Sequence, residues 1–350
     1  MSLQALQERI REAAGRGAPL RLRGGGSKDF YGNEPRGEAL DTRGYAGVVS
    51  YEPTELVVTA RCGTPLSELE AALEEQRQCL AFEPPHFGPG ATFGGCIAAG
   101  LSGPRRASAG ALRDFVLGVK LVDGRGRALT FGGQVMKNVA GYDLARLAAG
   151  SLGTLALIAE ASVKVLPKPA AELTLKLELP EARALEAMNR WAAQPLPVSA
   201  SAWHDGELHL RLSGAAPAVR AAAQKIGGDE LGGPQAPWTG IREHRHRFFG
   251  GDEPLWRLAL PPTSPPLGLP GRQLIEWGGG LRWLKSGAAP GELREAARRA
   301  GGHATLFRGA DKACGAFAPL DPVLARLHRE LKKAFDPAGV LNPGRMYPEL

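Results

Sequence analysis

The chain has 350 residues, 43% of them hydrophobic and 23% charged, and its 43 Lys and Arg exceed 36 Asp and Glu for a net charge of +7. That length predicts two domains, each with its own core, and with no apolar run of eighteen residues no membrane-spanning helix is expected. The four cysteines, Cys62, Cys79, Cys96 and Cys314, show no C-x-x-C spacing, so reduced thiols are expected in place of a zinc, redox or iron–sulfur site.

The opening MSLQALQERIREAAGRG lacks the basic and apolar regions of a signal peptide, which makes a cytoplasmic location the expectation. It predicts an amphipathic helix with Leu3, Leu6 and Ile10 on one face and Ser2 as N-cap. LRLR then runs into Gly24-Gly25-Gly26-Ser27-Lys28. GVVSYEP and ELVVTARCG predict adjacent strands, and TPLSELEAALEEQ a helix with Thr64 as N-cap and Pro65 at its first position. FVLGVKLVDGRGRALTF predicts a hairpin turning at Asp123-Gly124, and GTLALIAEASVKVLP a long strand ending at Pro167. After Pro167 the texture changes. LTLKLELP alternates strictly, and helices at EARALEAMNRWAA and APAVRAAAQKI are interleaved with strands at SASAWHD, ELHLRL, LWRLAL, RQLIEW and LRWLKS. This predicts an antiparallel sheet with helices on one side, followed by a helix near Glu292–Arg299. PPTSPPLGLPG is a loop within it, and REHRHRFF at Arg242–Phe249 reads as a solvated or partner-facing helix, not a nucleic-acid groove. A last helix, DPVLARLHRELKKAF, precedes DPAGVLNPGR. No repeat of fixed period is visible, and the fold class expected is α+β.

Consecutive backbone N–H groups converge on an anion where residues take left-handed angles and no Cβ blocks the approach, and glycine permits both. The loop at Gly24–Lys28 behind a strand therefore reads as a phosphate or pyrophosphate cradle, with a plain surface loop as the alternative. It matches neither the P-loop nor the G-x-G-x-x-G dinucleotide fingerprint. Three further stretches accompany it: the small-residue run GATFGGCIAAGLSG, then KNVAGYDLARLAAGSLGTL, and the tail FDPAGVLNPGR.

In this order the four stretches resemble the FAD-binding family of p-cresol methylhydroxylase and vanillyl-alcohol oxidase, over Arg21–Pro167 and Phe335–Arg345. The wording GPRR and KNVAGYDL is similar to the E-subunit branch of glycolate oxidases (glycolate dehydrogenases). The resemblance implies a two-part FAD-binding domain over residues 1–167, a smaller antiparallel α+β cap over 168–320, and a C-terminal helix and tail, 321–350, returning to the FAD site. It implies FAD contacts from Arg23, Gly24, Gly25, Gly26, Ser27, Lys28, Pro84, Thr92, Gly94, Gly95, Ala98, Ala99, Gly100, Ser102, Gly103, Arg113, Lys137, Gly153, Ile158, Asn342 and Arg345. It also implies a larger FAD-containing sister subunit, an iron–sulfur subunit, a small hydroxy-acid substrate, no nucleic acid, and membrane association only through partners. Two other roles remain open: a stand-alone flavin dehydrogenase for another hydroxy acid, and a structural subunit whose FAD does not react with substrate.

The pattern departs from the larger dehydrogenases of that family, whose cap carries a metal-holding H-x-H with a further glycine, asparagine and histidine. Here His244-Arg245-His246 has no such companions, so it reads as a solvated helix face. No metal is expected, and the catalytic base stays unassigned. Arg106, Arg113, Lys285 and Arg308 are the cations available for a substrate carboxylate. The glycine loop contains no histidine, and Cys62 and Cys96 lack an attachment context, so non-covalent FAD is expected. His86 reads as a loop residue without a catalytic role. Arg345 and Lys137 are the cations expected beside the flavin N1–C2=O edge. Asp143 reads as a structural carboxylate, and Tyr142 either stacks on the ring or fills the core.

Overall fold

Helix α1 (Leu3–Arg16) forms as its apolar spacing requires. Ser2 Oγ accepts from the Ala5 amide at 3.1 Å, and Gly17, at φ 61°, stops it. Leu6, Ile10 and Ala13 are buried in a cluster with Leu20 and Leu40, which belong to the short parallel pair β1 (Leu20–Arg23) and β2 (Glu38–Asp41). The computed structural model describes residues 1–133, 143–233, 236–309 and 311–350; the readings at Lys137, Asn138, Gly141 and Tyr142 lie outside them. The chain divides into two units. The first comprises Met1–Leu101, Ala111–Pro167 and Pro319–Leu350, and the second Ser102–Gly110 and Lys168–Ala318.

Strands β3 (Val48–Glu52) and β4 (Val57–Arg61) pair antiparallel. Helix α2 (Leu66–Glu75) has Pro65 at its cap with no side-chain bond. The expected cap, Thr64, is buried and exchanges hydrogen bonds with the Gly47 backbone at 2.9 and 3.2 Å. The first helical amide, Leu66 N, is satisfied by Ala91 O at 2.9 Å. A long-range acceptor thus does the work that spacing assigned to a local one.

There follow β5 (Gln78–Cys79), α3 (Phe93–Ala99), α4 (Arg106–Ala109), α5 (Leu112–Phe115), β6 (Val116–Val122), β7 (Ala128–Gly132), α6 (Leu144–Ala148), β8 (Leu157–Lys164) and β9 (Leu166–Pro167). The β6–β7 turn is fixed by Asp123, whose carboxylate accepts from the amides of Arg125 and Arg127 and from the Arg127 guanidinium. Strand order is β3-β4-β8-β6-β7, all antiparallel. Central β8 is buried at every position but Lys164, which explains its near-continuous apolar and small-residue run.

The second unit is built from β10 (Ala171–Glu178), α7 (Glu181–Ala192), β11 (Val198–His204), β12 (Glu207–Gly214), α8 (Ala216–Ile226), β13 (Asp229–Glu230), α9 (Ala236–Arg242), β14 (Leu255–Ala259), β15 (Arg272–Glu276), β16 (Leu281–Lys285), α10 (Pro290–Arg299) and β17 (His303–Arg308). Its antiparallel sheet has the order β13-β10-β12-β11-β15-β16-β14-β17. Numbered within its own half, each set of four strands has the order 4-1-3-2, and the halves meet at β11–β15. This is a topological duplication of a split β-α-β unit, although no period is visible in the sequence. Where the first half has α7, the second has the Pro-rich loop after β14, whose Leu267 and Leu269 pack onto the cluster around Leu293 and Ala297 of α10.

Arg242–Phe249 is not a solvated helix. Arg242 ends α9, His244 takes φ 53°, and Arg247–Phe249 is one 3-10 turn. The His244 ring stacks on Phe249 at 3.9 Å and meets Trp283 edge-on at 4.7 Å. Burial holds its pKa well below the usual imidazole range. Phe249 is a local partner, but Trp283 and Phe307 come from distant strands, so local pattern could not reveal how the His244 ring is enclosed.

Helix α11 (Pro322–Phe335) is capped by Asp321, whose Oδ1 accepts from Val323 and Leu324 amides at 2.9 and 3.0 Å. Its buried Lys332 ammonium donates to Thr154 O (2.8 Å) and Leu341 O (2.7 Å) and pairs with Asp336 (2.9 Å). The Asp336 carboxylate accepts from the Val340 and Leu341 amides. Leu341 in turn bridges Leu20, which brings the tail back to β1.

Candidate functional site

The glycines behind β1 are needed for three different reasons. A Cβ on Gly24 would overlap the Thr92 hydroxyl, one on Gly25 would overlap the Gly90 carbonyl oxygen, and Gly26 sits at φ +74°. The loop therefore lies flat on the 90–92 segment, and Gly24 to Lys28 line a cleft in the first unit. Side chains pin it from three directions. Arg23 Nε donates to Asp29 Oδ2 at 3.1 Å, and Lys28 Nζ donates to His86 O at 3.2 Å. The Arg345 guanidinium donates to the carbonyls of Lys28 (3.3 Å), Asp29 (2.9 Å) and Asn33. Burial pushes the Arg345 pKa down to about 10, so it remains a cation at neutral pH. Its donors reach loop carbonyls, so it clamps the glycine loop.

Helix α3 forms the cleft's small-residue wall. Thr92 Oγ1 accepts from Gly95 N at 3.3 Å as N-cap. Phe93, Cys96 and Ile97 are buried, while Gly95, Ala98 and Ala99 line the cleft. At its C-terminus Gly100 takes φ 64°, and its missing Cβ admits the Gly150 backbone. Gly150 N and Leu152 N donate to Ile97 O (3.0 Å) and Ala98 O (2.9 Å). This joins the G-S-x-G-T turn to α3. Asn342, at φ 42°, ties three distant segments together: its Nδ2 donates to Leu152 O (2.6 Å), its Oδ1 accepts from Leu22 N (2.7 Å), and its amide donates to Leu20 O (2.9 Å).

Two adjoining cavities of about 90 and 60 Å³ share Leu22, Arg23, Gly24, Gly95, Ala98, Leu152 and Asn342. The larger is lined by four cations, Arg21, Arg23, Lys28 and Arg345, and one carboxylate, Asp29. The smaller runs past Thr42, Cys62, Gly94, Gly153, Ala156, Leu157 and Ile158. A charged end with bare main chain and an apolar end walled by small residues fit a dinucleotide that carries a pyrophosphate and a flat ring. Burial pushes the Cys62 thiol up to about 12, so it is protonated and a poor nucleophile at neutral pH.

Of the expected contacts, Arg23, Gly24, Gly25, Gly26, Ser27, Lys28, Thr92, Gly94, Gly95, Ala98, Ala99, Gly153, Ile158, Asn342 and Arg345 come together here. Others do not. Pro84 is buried and is not among the residues lining the two cavities, and Gly100 serves as helix cap. Arg113 is mostly exposed beside Asp114 at 3.9 Å. Ser102 and Gly103 lie in the second unit, where Gly103 O accepts from Trp277 Nε1 at 3.1 Å. Among the cations considered for a carboxylate, Lys285 is buried and donates to the Gly250 and Gly251 carbonyls, and Arg106 stands 4.4 Å from the Trp277 ring in the second unit. Arg21, Leu22, Asp29, Pro35, Thr42, Cys62, Leu152, Ala156 and Leu157 also line the cleft. The β1 alternation signalled Arg21, but Thr42 and Cys62 carried no local signal.

Residues 1–132 match the family model of the FAD binding domain, and residues 308–346 that of the C-terminal domain of FAD linked oxidases. The chain is 50% identical to glycolate oxidase subunit GlcE of Escherichia coli over 347 residues, 99% of this chain and 98% of that one. It is 37% identical to D-lactate dehydrogenase of Archaeoglobus fulgidus over 159 residues, 43% of this chain but 34% of that enzyme. An alkyldihydroxyacetonephosphate synthase structure superposes with a TM-score of 0.67 at 17% identity, covering 96% of this chain and 74% of that one, a likeness of fold alone. The chain belongs to the family of FAD-linked oxidases that includes glycolate oxidase subunit GlcE.

Proposed function

We propose that this chain is the FAD-binding subunit of a glycolate-oxidising complex, holding the cofactor non-covalently in the first-unit cleft. The observation that carries this is the convergence of the glycine loop, α3, the 150–158 segment and Asn342 on one cleft. Bound FAD supplies the two-electron acceptor that oxidation of a 2-hydroxy acid requires. The chain's own residues do the holding. The glycine loop presents main chain where no side chain intervenes, Arg345 fixes that loop through its carbonyls, and Asn342 sets the spacing between β1 and the Leu152 turn.

Electron transfer to a larger flavin-containing sister and an iron–sulfur subunit completes the proposal, and any membrane contact is made through them. Subunits named E and D of glycolate oxidase are among the relatives of this chain, which supports a multi-subunit assembly. No helix among the described residues is long and apolar enough to cross a membrane.

A second feature favours oxidation only within the assembly. Among the described residues lining the cleft, the one carboxylate, Asp29, is paired with Arg23, and the Cys62 thiol is protonated. Neither is suited to remove a hydroxyl proton from glycolate. The test is anaerobic glycolate titration of the flavin absorption band in the isolated chain and in the assembled complex. Bleaching in the complex alone is expected. Equal bleaching by the isolated chain would make it a self-sufficient dehydrogenase, and a colourless chain that takes up no added FAD would end the proposal.

A further inference from the structure

The cations at the charged end of the cleft are not equivalent. Arg23 is matched by Asp29. Lys28 donates to the His86 carbonyl and Ser27 hydroxyl. Arg345 spends its donors on three carbonyls. Arg21 differs. It alternates with buried Leu20 and half-buried Leu22 along β1, so it shares the Arg23 side of the strand. It lines the same cavity, and its Nε is buried with no hydrogen-bond partner among the described residues. It also lies close enough to Arg345 for the two positive charges to disfavour one another. A buried donor without an acceptor beside a like charge is unfavourable in the empty protein. Both deficits vanish when an anion enters.

We propose that Arg21 binds a phosphate oxygen of the cofactor's pyrophosphate bridge and is the residue that makes this cleft select a dinucleotide over a flavin lacking the diphosphate. The inference rests on the reading of the cleft as an FAD site. It assigns Arg21 a role distinct from the clamp role of Arg345: both line the cavity, but the Arg21 Nε has no acceptor whereas Arg345 is bonded to loop carbonyls. It also fixes a pair of opposite signs: removing the charge weakens the complex and relieves the empty protein.

The test uses the full-length chain freed of flavin, with Arg21→Met and Arg21→Lys variants. FAD affinity is read from flavin fluorescence, displacement by inorganic pyrophosphate is measured in the same cuvette, riboflavin is a second ligand, and the apoprotein is melted in parallel. For Arg21→Met, FAD affinity is expected to fall about ten- to a hundredfold, as for loss of a charge-assisted hydrogen bond. Displacement by pyrophosphate should weaken in step, riboflavin affinity should hold, and the apoprotein should melt no lower than wild type. Arg21→Lys should recover part of the affinity. An FAD affinity within about twofold of wild type, an equal loss of riboflavin binding, or a fall in apoprotein melting that tracks the lost affinity would each overturn the proposal. If wild type bound pyrophosphate but not FAD, the cofactor reading would fail while the anion role of Arg21 stood. If it bound neither, both would fail.

Discussion

At the residue scale a single methyl group tests the cradle. Gly25 packs so closely on Gly90 that a Cβ would overlap its carbonyl oxygen, and that oxygen belongs to main chain that cannot swing aside. Gly25→Ala should therefore lift the loop off the 90–92 segment. The expected outcome is a chain purified with little or no flavin, read as the ratio of flavin to protein absorbance, with the apoprotein melting within about 5 °C of wild type because only a surface loop is displaced. Retention of full flavin content would show that the loop tolerates the shift. The glycines were legible because their chemistry is local; Thr92 was expected as a cofactor contact, and only the structure shows it capping α3. Asn342 stood out only as part of a motif; its three bonds to Leu20, Leu22 and Leu152 cross the whole length of the chain and leave no local trace.

Among the elements, α11 shows how an amphipathic pattern can mislead. Its buried side chain is Lys332, while Val323, Leu324 and Leu327 are exposed. The ammonium is retained because it serves two carbonyls and a carboxylate at once, and that network fastens the Asp336–Leu341 turn beneath β1. Burial lowers the Lys332 pKa, and Asp336 opposes the shift. Lys332→Met removes the cation from these buried acceptors and leaves the Asp336 charge held only by the Val340 and Leu341 amides, which costs about 3–5 kcal/mol where one partner of a buried pair is removed. Leu327→Asp, at a side chain already in water, should change stability by less than about 0.5 kcal/mol. Chemical denaturation of the two variants makes the comparison; equal destabilisation would contradict the account. Strand existence was largely legible from alternation, though β2, β17 and the two-residue strands β5 and β13 were missed. Strand order was not: the 4-1-3-2 duplication depends on which edges meet, and Leu267 and Leu269 replace a helix without any helical period.

For the whole molecule, the two units should respond differently to acid. Five of the seven histidines lie in the second unit, and burial lowers the pKa of His209, His244, His246 and His303, His246 to about 4. In the unfolded chain these rings take up protons below about pH 6.5, while the folded unit resists until lower pH. Between those limits the unfolded state binds more protons, so stability falls as pH falls from about 6.5 towards 4. In the first unit, burial alone would raise the Glu160 pKa, but Lys120 at 2.7 Å and Tyr45 at 2.5 Å outweigh it and lower it. That contribution is complete above the ordinary carboxylate pKa and is lost only as pH drops through the lower folded value. All six tryptophans lie in the second unit. Tryptophan emission should therefore change at higher pH than flavin release, and His244→Phe should flatten the tryptophan transition. Coincident transitions in wild type would refute the separation.

The sequence by itself determined the local chemistry: apolar spacing set α1, alternation set the hairpins, and glycines marked where main chain had to approach main chain. It also marked the family, because those glycines recur in a fixed order. The tertiary structure alone decided which groups meet. Lys332 faces inward, His244 lies within an aromatic stack, Thr64 leaves its cap, and Arg21 stands without an acceptor beside Arg345. Each of these depends on a partner supplied from a distant part of the chain, and burial by such a partner has no periodicity for a linear pattern to carry.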